Sequence, residues 1–384
     1  MTSKSKLVAL SVTLLSLLLL LGGVWARRTT DNTDTTPTPE VTENTQEPLG
    51  EPLTIDELTA LKIRYNATLV FGGDVNLSEG WPTMNYLAGQ ESLSDCIDGR
   101  LLEEMQQADL CSVNNEFAFS DRGSPMAGKY WTFRAKPENV ALLQEMGVDV
   151  ATLANNHVYD YGAEAFSDTL TTLRNAGIAT VGAGETLAEA STPYYTQLGD
   201  LKVAIVNASR AEKTQMTPGA GESSSGIMLC YDTAAFEQEI AQARQNADLV
   251  ICCVHWGTEY TSKLEDVQKE SARRYIDAGA DIIVGTHSHC LQGIEYYNGK
   301  PIFYSLGNFW FNEKDLETGL LKLTVTGDTT RGVQLKCTFL PAIQSGCVTS
   351  YAESMSDRGK VFDLLNSISV NAQVDADGVV SPVG

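Results

Sequence analysis

Histidine occurs only four times in the 384-residue chain, each time where an apolar, strand-like run stops. His157 closes Leu153-Ala154-Asn155-Asn156-His157, and His255 stands between Val254 and Trp256-Gly257. His287 and His289 share the segment Gly285-Thr286-His287-Ser288-His289. Imidazole is a common metal ligand and proton carrier. Other polar groups sit at the same kind of boundary: Asp74 after Gly72-Gly73, Glu116 after Asn114-Asn115, and Asn156 beside His157. Asp160, Glu259 and Asn308 lie close enough in sequence to support them. Carboxylate, amide oxygen and imidazole together suit manganese, zinc or iron. Such an ion polarises a phosphoryl oxygen and lowers the pKa of a bound water. A histidine left unligated can protonate a leaving group.

Each piece alone has a plainer reading. Gly-Gly-Asp after a strand is an ordinary turn, and asparagine tolerates the left-handed backbone of sharp turns. His255 alone could be a satisfied core histidine. The pair His287 and His289 is the strongest local signal, because a spacing of two on an extended segment puts both rings on one side. The recurrence of such residues at successive strand ends favours one polar cleft outside the carboxyl ends of the strands of an α/β sheet.

The elements needed to position them are legible. Apolar runs at 69–71, 110–113, 148–153, 203–206, 249–254, 282–284 and 302–304 read as strands. Residues 101–108, 137–146, 163–176, 234–245 and 267–278 read as helices, with Pro137 suited to a first turn and Gly177 and Gly279 to helix ends. Strands spaced by helices of this length indicate parallel βαβ units. Further on, Leu321, Leu323 and Val325, then Val333, Leu335, Cys337 and Phe339, alternate with polar positions as an antiparallel hairpin does. A helix over 358–368 and a loose Gly/Asp/Val/Pro end follow.

Composition narrows the class. Hydrophobic residues make up 43% and charged residues 20%, ordinary for a globular chain. The net charge of −22, from 49 acidic and 27 basic residues, argues against a nucleic-acid partner. Lys4 and Lys6 precede an uncharged apolar run over 7–25, closed by Arg27 and Arg28. At ~1.5 Å per residue that run nearly matches a ~30 Å hydrocarbon core. Residues 1–28 therefore read as a signal-anchor, a single pass that leaves the remainder outside the cell membrane. Cleavage after Ala26, at a poor Val24-Trp25-Ala26 site, would make the protein secreted instead. Residues 29–62, rich in threonine, proline and acids, read as a disordered linker. Residues 63–345 then form the globular domain and 346–384 a C-terminal extension. Of the eight cysteines, Cys111, Cys252 and Cys253 lie in apolar runs, and no Cys-x-x-Cys occurs, so mostly free buried thiols are expected.

A family resemblance runs through these segments. Phe71-Gly72-Gly73-Asp74, Val113-Asn114-Asn115-Glu116 and Thr152-Leu153-Ala154-Asn155-Asn156-His157-Val158-Tyr159-Asp160 are matched in order. His255-Trp256-Gly257-Thr258-Glu259, Gly285-Thr286-His287-Ser288-His289 and Tyr304-Ser305-Leu306-Gly307-Asn308 complete the set. Over roughly 67–312 the chain resembles the CapA/PgsA family of capsule (poly-γ-glutamate) synthesis proteins. The resemblance implies a fold like the calcineurin-like metallophosphoesterases: an α/β, αββα sandwich of two mixed sheets flanked by helices, here with a small C-terminal antiparallel extension. It also implies one or two divalent ions held by Asp74, Glu116, Asn156, His255, His287 and His289. Glu116 takes the bridging position, and His157, with Asp160, is the catalytic acid. Asn76 stands where those enzymes place a histidine, and Glu116 replaces an aspartate, which puts one metal position in doubt.

The function that follows is membrane-anchored capsule biosynthesis with a metallophosphoesterase-like site, alongside capsule-polymer synthase components, on an anionic polymer or phosphate ester. An exported phosphoesterase acting on a nucleotide or cell-wall phosphate, and a non-catalytic polymer-handling module, remain open alternatives.

Overall fold

The computed structural model describes residues 64–383 except 213–214 and 329–330. The expected anchor and linker lie outside the described residues. Among the described residues no helix is long and apolar enough to cross a membrane.

Strand alternation builds the central layer. Along Arg64–Val75, Leu69 and Phe71 point into a core shared between two sheets, while Val70 points to the opposite face. Along Leu249–Trp256, Leu249, Ile251 and Cys253 enter that shared core, and Val250, Cys252 and Val254 face away from it. Period-two side chains thus give each sheet two apolar faces, one for the partner sheet and one for helices. Cys252 and Cys253 part to opposite faces for the same reason. All eight cysteines are described, and all are free thiols.

The first sheet has Arg64–Val75, Leu110–Asn115, Val150–Thr152 and Ala179–Val181 in parallel. Its other side is antiparallel: Leu316–Asp328 pairs with Arg64–Val75, and Gly332–Ser345 pairs with Leu316–Asp328. The second sheet runs Leu201–Arg210, Leu249–Trp256, Ile282–Thr286 and Lys300–Leu306 in parallel, with antiparallel edges Leu291–Tyr297 and Tyr194–Leu198. Both sheets are therefore mixed. Helices Gly99–Gln107, Val140–Met146 and Gly162–Asn175 cover the first sheet through Leu101, Met105, Leu143, Phe166 and Leu170. Helices Ala234–Asn246 and Asp266–Ala278 cover the second through Phe236, Ile240, Ala272 and Tyr275. The layer order is αββα, as the resemblance implies.

Two local expectations change. Residues 137–146 form a 3-10 turn, Pro137–Asn139, before the α-helix Val140–Met146. The end of the chain is not loose: Ala372–Val374 and Val379–Pro382 pair with each other, and Val379–Pro382 extends the first sheet from Gly332–Ser345. Ala372, Val374 and Val380 are buried there with Val361, Phe362 and Leu365 of helix Met355–Ile368, so apolar burial orders a segment whose composition reads as a tail.

Candidate metal centre

The parallel strands of both sheets end on one rim, and the polar residues converge there. Asp74 sits near the end of Arg64–Val75, where the strand loses regular register with Leu110–Asn115. Gly73 permits this: a Cβ on it would lie 1.9 Å from the Gly307 carbonyl oxygen. That close crossing brings strand Asn308–Trp310 alongside, with Asn308 opposite Asp74. Glu116 follows the next strand, and the Asn155-Asn156-His157 turn follows Val150–Thr152. In the turn, Asn155 Oδ1 accepts from the amides of His157 (3.0 Å) and Val158 (2.9 Å), an asparagine-led turn that fixes the next two side chains.

His287 and His289 reach the cleft by a route different from the extended segment expected. Strand Ile282–Thr286 has ended, and both residues have left-handed backbone, φ 92° and 54°. Residues other than glycine seldom adopt that region, and such strain gathers at functional sites. The ring centroids lie 6.1 Å apart, both facing the cleft.

Two groups of ligand atoms result. His255, His287 and Glu116 offer atoms all within 4.8 Å of one another, as do Asp74, Glu116 and His289. Glu116 belongs to both, the placement of a bridging carboxylate. His255 Nε2 lies 2.8 Å from Asn156 Oδ1, 3.1 Å from His287 Nδ1 and 3.5 Å from Glu116 Oε1. The Asn156 and Glu116 oxygens are acceptors, and with its proton on Nδ1 His255 presents a lone pair to the same point. Buried Glu116 Oε1 has no hydrogen-bond partner among the described residues. A buried acceptor without a donor costs free energy that a cation would offset. The donor set fits a divalent ion of mixed O/N preference. The polar partners behind the ligands also fit: His289 Nδ1 is 2.9 Å from Asn308 Oδ1, and His255 Nδ1 is 2.9 Å from Thr286 Oγ1. Such bonds orient a ligating imidazole.

Electrostatics follow from burial. It lowers His255 to about 3 and His287 well below the usual histidine range, leaving both neutral as ligands must be. Burial raises Glu116, and the nearby Asp74 charge raises it further. Burial would raise Asp74 too, but His289, His255 and Asn114 outweigh it and hold the carboxyl below its ordinary value. His157 stands beside the ligands with Nδ1 2.6 Å from Asp160 Oδ2, which leaves Nε2 for proton transfer. Burial lowers this imidazole, against the opposing pull of Asp160.

Not every expected residue joins. Asn76, expected behind the ligands, accepts from the Ser78 amide at Oδ1 (2.9 Å), and its buried side-chain N–H has no hydrogen-bond partner among the described residues. Glu259 is exposed and lines the cleft mouth instead of backing a ligand. Three contributors escaped the sequence reading. Asn114 donates to Asp74 Oδ1 (2.8 Å), and its place in the Asn-Asn-Glu motif was the available signal. Lys129, from the loop before Phe133, pairs with Asp160 Oδ1 (2.8 Å) and Glu212 Oε1 (3.2 Å) and donates to the Asn156 carbonyl. Lys129 and Glu212 carry no local pattern that marks them.

Residues 68–313 match the family model described as bacterial capsule synthesis protein PGA_cap. The PGA biosynthesis protein CapA of Bacillus subtilis (strain 168) is 37% identical over 193 residues, 49% of this chain and 49% of that protein. The capsule biosynthesis protein CapA of Bacillus anthracis is 38% identical over 184 residues, 47% of this chain and 44% of that protein. The aligned region thus spans about half the length of these two curated relatives. A probable polyglutamine synthesis accessory protein of Mycobacterium tuberculosis (strain CDC 1551 / Oshkosh) is 28% identical over 319 residues, 71% of this chain and 84% of that protein. Among solved structures, a novel phosphatase from Mycoplasma pneumoniae aligns at TM-score 0.46 and 14% identity, covering 74% of this chain and 95% of that one.

Proposed function

The chain belongs to the bacterial capsule synthesis family PGA_cap, and from that premise we propose that it serves poly-γ-glutamate capsule synthesis through a metal-dependent phosphoesterase-like centre. The carrying observation is the shared carboxylate: Glu116 stands in both ligand groups, with neutral His255 and His287 on one side and Asp74 and His289 on the other. When bound there, a divalent ion supplies Lewis-acid polarisation of a phosphoryl oxygen and an activated water. This chain's own residues do the rest. Asp160 holds His157 with Nε2 directed to a leaving oxygen, Lys129 holds Asp160, and Asn156 and His255 orient what is bound. The apolar run over 7–25 anchors the head outside the cell membrane, next to synthase components.

The polymer itself is a poor ligand for this cleft. The chain carries −22 overall, and Glu212 and Glu259 line the cleft. Like charge repels poly-γ-glutamate at long range. A small phosphate ester made or consumed during polymer export fits better.

The test is complementation in a capsule-forming host lacking its own homologue. Wild-type chain should restore surface polymer, and His289→Ala, expressed at equal level, should not. Restoration by both would end the phosphoesterase reading and leave a scaffold role. Elemental analysis of the purified full chain should find metal in the wild type and less in the variant.

A further inference from the structure

Two cavities open from the floor of the centre, and both are lined by Trp131, His157 and Glu259. The larger, about 440 Å³, touches Asn156 and His287 and runs past Lys129, Tyr130 and Met216. The smaller, about 270 Å³, touches His289 and is walled by Trp81, Phe133, Tyr260 and Phe311. His157, the proposed acid, thus lines both cavities. The half-exposed Trp131 and exposed Glu259 stand between them.

The smaller cavity is walled mainly by aromatic rings. Trp81 meets Phe133 edge-on at 4.7 Å, and Phe133 meets Phe311 at 5.7 Å. Tyr260 has left-handed backbone, φ 53°, and its amide donates to the Ser288 carbonyl at 2.7 Å, inside the His287–His289 turn. Lys314 Nζ lies 3.3 Å from the centre of the Tyr260 ring. A strained tyrosine tied to the ligand turn is a built wall, and edge-on aromatic packing suits a planar ring.

Charge discriminates further. Glu212 and Glu259 line the larger cavity, Glu259 and Glu313 the smaller. Against them stand Lys129, already paired with Asp160 and Glu212, and Lys314, seated on Tyr260. A phosphomonoester brings nearly two negative charges at neutral pH, a diester one, and an acidic rim penalises the first more.

Building on the phosphoesterase reading, we propose that the substrate is a phosphodiester, with one organic group in each cavity and the ring-bearing group in the aromatic one. Hydrolysis adds water across one P–O bond, releasing an alcohol and a phosphomonoester, and needs no redox partner.

Full-length protein loaded with Mn²⁺ is titrated calorimetrically with inorganic phosphate, phenyl phosphate and diphenyl phosphate. Diphenyl phosphate should bind about tenfold or more tighter than phenyl phosphate, the scale of adding one packed aromatic group. Trp131→Ala should collapse that ratio, and Glu259→Gln should narrow it by strengthening the more highly charged ester. Phosphate binding without preference for the diester would overturn this inference and leave the phosphoesterase centre standing. Absence of binding by all three would overturn both.

Discussion

Glu116 and Glu239 are both buried glutamates whose pKa burial raises, yet only Glu116 stands among other atoms that could ligate a metal. Glu116 ends a strand, faces Asp74, and lies 3.5 Å from His255 and 3.8 Å from His289. Glu239 lies on the inward side of helix Ala234–Asn246, 4% exposed, with both carboxyl oxygens lacking a hydrogen-bond partner among the described residues. Burial away from water is what raises its pKa. A raised carboxyl therefore marks low dielectric, and convergence of further ligand atoms is what turns burial into a centre.

The sharpest way to break the comparison is to neutralise each acid in turn. Glu116→Gln removes the negative charge of the one residue common to both ligand groups. Bound metal should fall to background by elemental analysis, and turnover of a chromogenic phosphodiester should drop by about 10⁴-fold or more, as when a member of a catalytic unit is lost. Glu239→Gln should leave metal content as in the wild type. Equal metal loss in both variants would mean that burial alone governs.

Lys129 probes the support behind His157. Its side chain is 8% exposed and that of Asp160 is fully buried, so Lys129→Met leaves Asp160 Oδ1 without its cation, while Oδ2 keeps His157 (2.6 Å) and the Phe133 amide (2.7 Å). Urea unfolding should show a loss of about 1–3 kcal/mol, the cost of leaving one buried polar atom without its partner. Lys129→Met/Asp160→Asn should recover most of that stability and still lose the orientation of His157. Full turnover in the double variant would sink the positioning role.

The difference between local and distant signals explains what the sequence discloses. Asp74, Glu116, Asn156 and the histidines were legible because strand ends are set by local apolar runs, and parallel strands bring their carboxyl ends to one rim. The strands that carry Leu69, Val70, Leu249 and Val250 were legible for the same reason. Lys129 and Glu212 were not, because Lys129 meets Asp160 and Glu212 only in the folded chain. The left-handed turn at His287 and His289 escaped too, since histidine does not announce positive φ as glycine does. The second sheet came from the family resemblance alone: its edge strands Tyr194–Leu198 and Leu291–Tyr297 are antiparallel additions that a βαβ pattern does not reveal.

A smaller effect sits behind a ligand. Thr286→Val deletes the hydroxyl 2.9 Å from His255 Nδ1 and keeps the shape. Metal affinity, measured by competition with a chelator, should weaken about 10-fold, the lower end for partners that orient a ligand. Unchanged affinity would mean that packing alone fixes His255.

Glu239 supplies the mildest and most diagnostic test. Its folded-state pKa lies above the ordinary 4.5, so the folded chain keeps a proton that the unfolded chain has released. Unfolding then frees a proton. The stability linked to this group is fully present below pH 4.5 and declines as pH rises toward the folded-state value. The slope is at most about 1.4 kcal/mol per pH unit. Glu239→Gln cannot titrate, so urea unfolding between pH 5 and pH 8 should show the variant gaining on the wild type as pH increases, with identical metal content throughout. A parallel pH dependence in both proteins would show that Glu239 has a polar partner in the fold. The two buried glutamates would then differ in the chemistry of that partner, and no longer in having one.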